Sequence, residues 1–128
     1  TWAEWAVSGA LTLYALHQQG MQQSAHVKGQ SLGRAIRALA SDDEQMKAVQ
    51  RRFNAFATAK NMPECMRHLR GLVQLLHSKD IPLDYVELAG DLYVFQTPGG
   101  ASGVRLRWGQ DFYRTTDKKE ERESTHDE

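Results

Sequence analysis

The stretch "GQSLGRAIRAL", residues 29–39, combines the signals of a helix start with residues that a helix does not need. Gly33 falls in the first turn, where alanine would be better by about 1 kcal/mol. Arg34 and Arg37 stand three apart and therefore on one helix face. A favourable N-cap, Ser31, is followed by apolar residues at helical spacing, namely Leu32, Ala35, Ile36 and Leu39. The stretch predicts a short amphipathic helix whose glycine and arginines require a separate explanation.

Helical patterns continue on both sides of this stretch. An apolar segment over residues 2–19 precedes it, and residues 20–30, which are polar with two glycines, are interpreted as a mobile loop. Ser41 with Glu44 forms a capping box for a third helix, and Asn61 begins a fourth with Pro63 in its first turn. Pro82 is expected to open a fifth helix. The spacing predicts a core that includes Phe53, Phe56, Leu69, Val73, Leu76 and Trp108, with Leu83, Val86, Leu92 and Tyr93 as candidates from the fifth helix.

The segment after the fifth helix is ambiguous. "TPGGASG", residues 97–103, breaks the helical pattern, and "VRLRWGQDFYRT" follows it. Alternation of Val104, Leu106 and Trp108 with arginines suits a strand, whereas Val104, Trp108 and Phe112 are four apart and suit a helix. A hairpin across the glycines stays open, although the pattern favours a helix. The predicted fold is all-α, a compact bundle of five or six helices over residues 1–116.

Composition restricts the class of protein. The chain has 128 residues, of which 41% are hydrophobic, and no apolar run long enough to span a membrane. Cys65 is the single cysteine, so an intrachain disulfide is impossible and a cytoplasmic location is expected. Because the sequence lacks an initiator methionine, we expect further N-terminal helices.

Charge is unevenly distributed although the net charge is zero. Ten basic residues and four acidic residues lie between Lys28 and Lys79. Residues 117–128 contain six acidic and three basic residues and no apolar residue, which predicts a disordered acidic tail. Such asymmetry is typical of a domain that binds charged partners.

No motif for catalysis or metal binding is present. The five histidines match no zinc-ligand spacing, and "GGASG" lacks the lysine of a phosphate-binding loop. The carboxylates of residues 42–44 fall in a helix's first turn, where capping explains them. We therefore predict no catalytic residue, no metal and no cofactor.

Arginine is the remaining candidate chemistry. Arg51, Arg67 and Arg70 lie opposite the apolar stripes of two consecutive predicted helices, and Arg52 flanks Arg51. Arginine suits bidentate contact with phosphate. A solvated helix face and a phosphate-binding surface both fit this pattern.

Four segments together resemble the CasB family, the small subunit of the type I-E CRISPR Cascade complex. They are "GQSLGRAIRAL", "RRF", "CMRHLRGLVQLL" and "DFYRTT", and the resemblance covers roughly residues 29–116. It implies an all-helical, non-enzymatic cytoplasmic protein that pairs with a second copy and contacts the backbone and large subunits of the crRNA-containing complex. It also implies contact with the DNA of the R-loop, the displaced strand and the target strand. The nucleic-acid-binding candidates are Lys28, Arg34, Arg37, Arg51, Arg52, Arg67, Arg70, Arg105 and Arg107.

Two alternatives remain open. Gly33 either lets an anion approach the free amides at the helix start or permits close helix packing, with Arg34 paired to an acid such as Asp91. The basic face either binds nucleic acid or, in a helical protein-interaction module, docks acidic partner subunits.

Overall fold

The computed structural model describes the backbone of residues 1–126 and the side chains of residues 1–114. Over the described backbone the chain folds into six helices without a β-strand, which confirms the predicted all-α bundle. The helices are α1 Trp2–Gln18, α2 Leu32–Arg37, α3 Asp43–Ala57, α4 Met62–Ser78, α5 Tyr85–Gln96 and α6 Gly100–His126. The backbone of α6 extends into the predicted acidic tail, residues 117–128, whose side chains lie outside the description, and disorder of the tail stays a prediction.

The predicted start of α4 is confirmed, and that of α3 is shifted by one residue. Asn61 caps α4 and Thr1 caps α1, each by accepting a hydrogen bond from the backbone N–H three residues on. The capping box at Ser41 is wrong, because Asp42 is the N-cap of α3 and accepts from the Gln45 N–H at 2.7 Å. A carboxylate is as good a cap as a hydroxyl and adds a charge that favours the helix N-terminus.

Helix α5 begins later than predicted and buries a different face. Asp84 is its N-cap, so Pro82 lies before the helix. Val86 and Tyr93, predicted as core, are 75% and 42% exposed, whereas Leu88 and Phe95 are buried beside the correctly predicted Leu92. Both sides of this helix are apolar in sequence, so its periodicity does not reveal which side faces the core.

The ambiguous segment after the glycines is helical. Val104, Trp108 and Phe112 line the buried side of α6, which excludes the hairpin. The Phe112 ring stacks on Phe53 of α3 with centroids 4.4 Å apart, and Trp108 packs against Phe56 at 4.8 Å. These contacts make α6 the element that closes the core over α3. The six core residues predicted outside the fifth helix are all buried, namely Phe53, Phe56, Leu69, Val73, Leu76 and Trp108.

Gly33 serves helix packing. A Cβ at residue 33 would lie 2.6 Å from the Trp108 carbonyl oxygen and 2.7 Å from the Phe112 backbone nitrogen. Only glycine lets α2 approach α6 this closely. Asp91 pairs with Arg107 instead of Arg34. Helix packing is therefore the favoured explanation of Gly33. The ion pair between Arg34 and Asp91 that was suggested with it is wrong.

The predicted mobile loop is held in place. Leu83 N–H donates to the Ala25 carbonyl at 2.9 Å, and Val27 N–H donates to the Leu83 carbonyl at 3.2 Å. Gly29 N–H donates to the Asp84 carboxylate at 2.9 Å. The segment before α2 is thus paired with the connection between α4 and α5, a long-range contact that polar composition does not reveal.

Candidate nucleic-acid interface

Helices α3 and α4 present arginines on their outward sides. In α3 the residues Val49, Phe53 and Phe56 are buried, which turns Arg51 and Arg52 to solvent. In α4 the buried stripe includes Cys65, Leu69, Leu72, Val73 and Leu76. Arg67 and Arg70 are exposed on its other side. The two helices are consecutive and packed against each other, and their four outward arginines, Arg51, Arg52, Arg67 and Arg70, are here called the arginine face.

These four guanidinium groups are available to an external ligand. Among the side chains described, the ion pairs and hydrogen bonds involve none of the four. Arg67 does act on Glu64, one turn away. The pKa of Glu64 lies below its usual value, first because its carboxylate accepts a hydrogen bond from the Lys60 N–H and further because of the charges of His68 and Arg67.

Arg105 was predicted as a nucleic-acid contact, but its guanidinium points into the fold. Nη1 donates to the Ala57 carbonyl at 2.6 Å, and Nη2 donates to the Ala59 carbonyl at 2.8 Å. The group also lies 5.1 Å from the centroid of the Phe95 ring. Since the last carbonyls of a helix lack partners within the helix, Arg105 completes the C-terminus of α3.

Arg107 and Arg37 are also engaged within the fold. Arg107 forms an ion pair with Asp91, whose other oxygen accepts a hydrogen bond from the Trp108 indole at 2.9 Å. Arg37 contacts the Met46 sulfur and lies 5.9 Å from the centroid of the Phe112 ring. Three of the nine predicted site residues therefore have internal partners, which their sequence pattern did not indicate.

The remaining predicted site residues lie on other elements. Lys28 is exposed in the segment between α1 and α2, and Arg34 is exposed on α2. Two exposed lysines that were not among the candidates, Lys47 on α3 and Lys60 in the turn before α4, add positive charge to these two helices and the turn that joins them. In the sequence, Lys47 and Lys60 were indicated only as members of the excess of basic residues between Lys28 and Lys79.

The side of the molecule formed by α1 and α5 differs from the arginine face. Helices α1 and α5 contain no lysine or arginine. Between them lies an apolar groove of about 430 Å³, lined by residues that include Val7, Leu11, Tyr14 and Val86. The described surface thus has a basic side on α3 and α4 and an apolar side on α1 and α5.

The described residues offer no metal site, and the thiol is a poor nucleophile. No group of three or more His, Cys, Asp or Glu among the described side chains could hold a metal ion. Burial raises the pKa of Cys65 to about 11, so the thiolate that reacts as a nucleophile is scarce near neutral pH. No helix within the described chain is long and apolar enough to cross a membrane.

The fold and the arginine face define an all-α protein with a basic outer surface on two consecutive helices. The family model of CRISPR-associated protein Cse2 matches residues 1–113. The chain therefore belongs to the Cse2 family, which confirms the resemblance seen in the sequence.

Two solved structures are similar to the chain. The crystal structure of CasB from Thermobifida fusca has 42% sequence identity and a TM-score of 0.74, over 81% of this chain and 59% of that one. A Cse2-family CRISPR-associated protein from Thermus thermophilus has 27% identity and a TM-score of 0.65, over 87% of this chain and 60% of that one. The chain thus spans about three fifths of the length of these relatives. A comparison with curated proteins found no match.

Proposed function

We propose that this chain is a non-catalytic small subunit of a type I-E CRISPR Cascade complex in the cytoplasm and that its arginine face binds nucleic acid. The observation that carries the proposal is the set of four exposed guanidinium groups on α3 and α4 that lack partners among the described side chains. Phosphate contacts by arginine give affinity without sequence preference. A subunit that acts on any target sequence needs affinity of that kind.

The proposed role is to stabilise the R-loop by holding the displaced DNA strand. Exchange of a DNA duplex for a guide–target heteroduplex is nearly balanced in free energy, so modest contacts to the DNA shift the equilibrium. The target strand and the crRNA-containing complex are further proposed contacts.

Contact with other subunits of the complex, including a second copy of this chain, is part of the proposal. The groove between α1 and α5 supports it, because an exposed apolar surface of this kind is typical of protein–protein contacts. In the alternative proposal, a protein-interaction module, the arginine face would dock acidic subunits.

A salt titration of DNA binding tests the role of the arginine face. In the double variant Arg67→Gln/Arg70→Gln we expect weaker binding and a log–log salt dependence that is shallower by about 0.7 to 0.9 for each phosphate that is no longer neutralised. The matched control, Gln22→Glu/Gln23→Glu, changes the net charge by the same amount at exposed positions of the segment between α1 and α2. The control should retain the original slope.

The outcomes separate the two functions. If the slope of the arginine variant equals that of the unaltered chain, the arginine face does not contact DNA. If the unaltered chain binds no DNA at low salt, the interaction module becomes the better explanation.

A further inference from the structure

Tyr113 is an exposed aromatic residue beside the packed rings of α3 and α6. The residue is 44% exposed, and its ring is nearly perpendicular to those of Phe53 on α3 and Phe112 on α6, with centroids 6.2 Å and 4.9 Å away. The Tyr113 hydroxyl donates to the Asn54 amide oxygen at 3.3 Å. The ring is thus supported by two buried rings and anchored at its tip, which fixes its orientation while part of it faces solvent.

Three arginines from three helices adjoin either Tyr113 in sequence or a residue that Tyr113 contacts. Asn54, the hydrogen-bond partner of Tyr113, is three residues from Arg51 and therefore a neighbour of Arg51 on the surface of α3. Arg37 of α2 lies over Phe112, the residue next to Tyr113. Arg114 follows Tyr113 on α6 and is exposed. Asp111 is the acidic residue closest in sequence, and it has interactions within the fold.

We propose that Tyr113 stacks on an unpaired base of single-stranded DNA whose adjoining phosphate is contacted by Arg51. Proteins that bind single strands without sequence preference combine a basic surface that follows the phosphates with aromatic rings on which bases stack. A base in a duplex is already stacked and paired, so a ring of this kind favours single strands over double strands. The inference rests on the proposed nucleic-acid binding of the arginine face and adds the residue on which a base of the single strand stacks.

Substitution of Tyr113 separates stacking from charge. In the variant Tyr113→Leu we expect affinity for an oligothymidine single strand to fall about fivefold or more, while the log–log salt slope stays unchanged because every cationic side chain is retained. Affinity for a duplex of equal length should not change. Tyr113→Phe keeps the ring and should retain most of the single-strand affinity, and it also shows whether loss of the hydroxyl bond to Asn54 matters.

Tyr93 provides a matched control. It is 42% exposed, almost the same as Tyr113, but it lies on α5, which has no lysine or arginine. Tyr93→Leu should leave single-strand affinity unchanged. Circular dichroism of each variant establishes that the helices are retained.

Binding to an abasic single strand tests whether Tyr113 contacts a base. The abasic strand keeps the sugar–phosphate backbone and lacks the bases, so the unaltered chain and Tyr113→Leu should bind it equally well. The inference is overturned if Tyr113→Leu weakens binding to the abasic strand as much as to oligothymidine, or if it weakens neither. If the unaltered chain binds abasic strand, oligothymidine and duplex alike, phosphate binding stands and only the stacking role of Tyr113 fails. If it binds none of the three, the proposed function and this inference both fail.

Discussion

Replacement of Arg105 by glutamine should destabilise the fold without removing a DNA contact. The guanidinium bonds the carbonyls of Ala57 and Ala59 at 2.6 and 2.8 Å and lies over the Phe95 ring. A hydrogen bond to a charged group contributes about 1.5–3 kcal/mol, and a partly exposed cation–π contact about 0.5–1 kcal/mol. Because Arg105 is partly exposed, water compensates some of the loss, and we expect the free energy of unfolding to fall by about 2–4 kcal/mol.

Urea denaturation followed by circular dichroism measures this loss as a lower midpoint with an unchanged slope. Arg105→Lys should lose about half as much, because one ammonium group lacks the fork that spans two carbonyls. Arg70→Gln removes the same charge from the arginine face and serves as the control, with an expected change within about 0.5 kcal/mol. A loss below about 1 kcal/mol for Arg105→Gln would refute the reasoning, since one charged hydrogen bond alone should exceed it. A lower salt slope of DNA binding in this variant would show instead that Arg105 contacts phosphate.

Three further predictions concern other parts of the molecule. Gly33→Ala should lower the melting temperature, because a Cβ 2.6 Å from the Trp108 carbonyl oxygen forces α2 away from α6; an unchanged melting temperature would contradict this packing. Burial lowers the pKa of His17 below its usual value of 6.5, so the unfolded chain binds more protons than the folded chain. The part of the free energy of unfolding that depends on His17 should therefore be present above pH 6.5 and be lost as the pH falls below that value. Urea midpoints measured over a pH range of about 5 to 8 for the unaltered chain and His17→Gln check this, with a shallower pH dependence expected in the variant. Removal of residues 117–128, which carry a net charge of −3, should strengthen DNA binding at low salt and have little effect at high salt, and equal affinities at low salt would exclude competition by the tail.

Strong periodicity made much of the core predictable. Phe53, Leu69 and Trp108 recur on one side of helices whose other side is polar, and the burial of such stripes is the main driving force of folding. Helix α5 shows the limit of this signal, because Val86 and Leu88 are both apolar and only the position of α1 and α6 decides which is buried.

The candidate site was less predictable because arginine has two uses. Arg70 and Arg105 look alike in sequence, yet one is exposed and the other bonds the carbonyl of Ala57, which ends a helix 48 residues earlier in the chain. The role of Gly33 also depends on a distant part of the chain, since the backbone that it accommodates belongs to α6. Long-range contacts of this kind depend on the assembled fold and leave no local pattern.

The separation of the basic side on α3 and α4 from the apolar side on α1 and α5 also affects how the molecule approaches a polyanion. With zero net charge, the chain is not drawn toward DNA from far away, but its uneven charge gives it a dipole. In the proposed binding of DNA, the field of the phosphates within a Debye length of about 8–10 Å would exert a torque that turns the arginine face toward them before any contact forms. This rotation would raise the fraction of productive collisions, so the charge arrangement would act on the association rate as well as on the affinity.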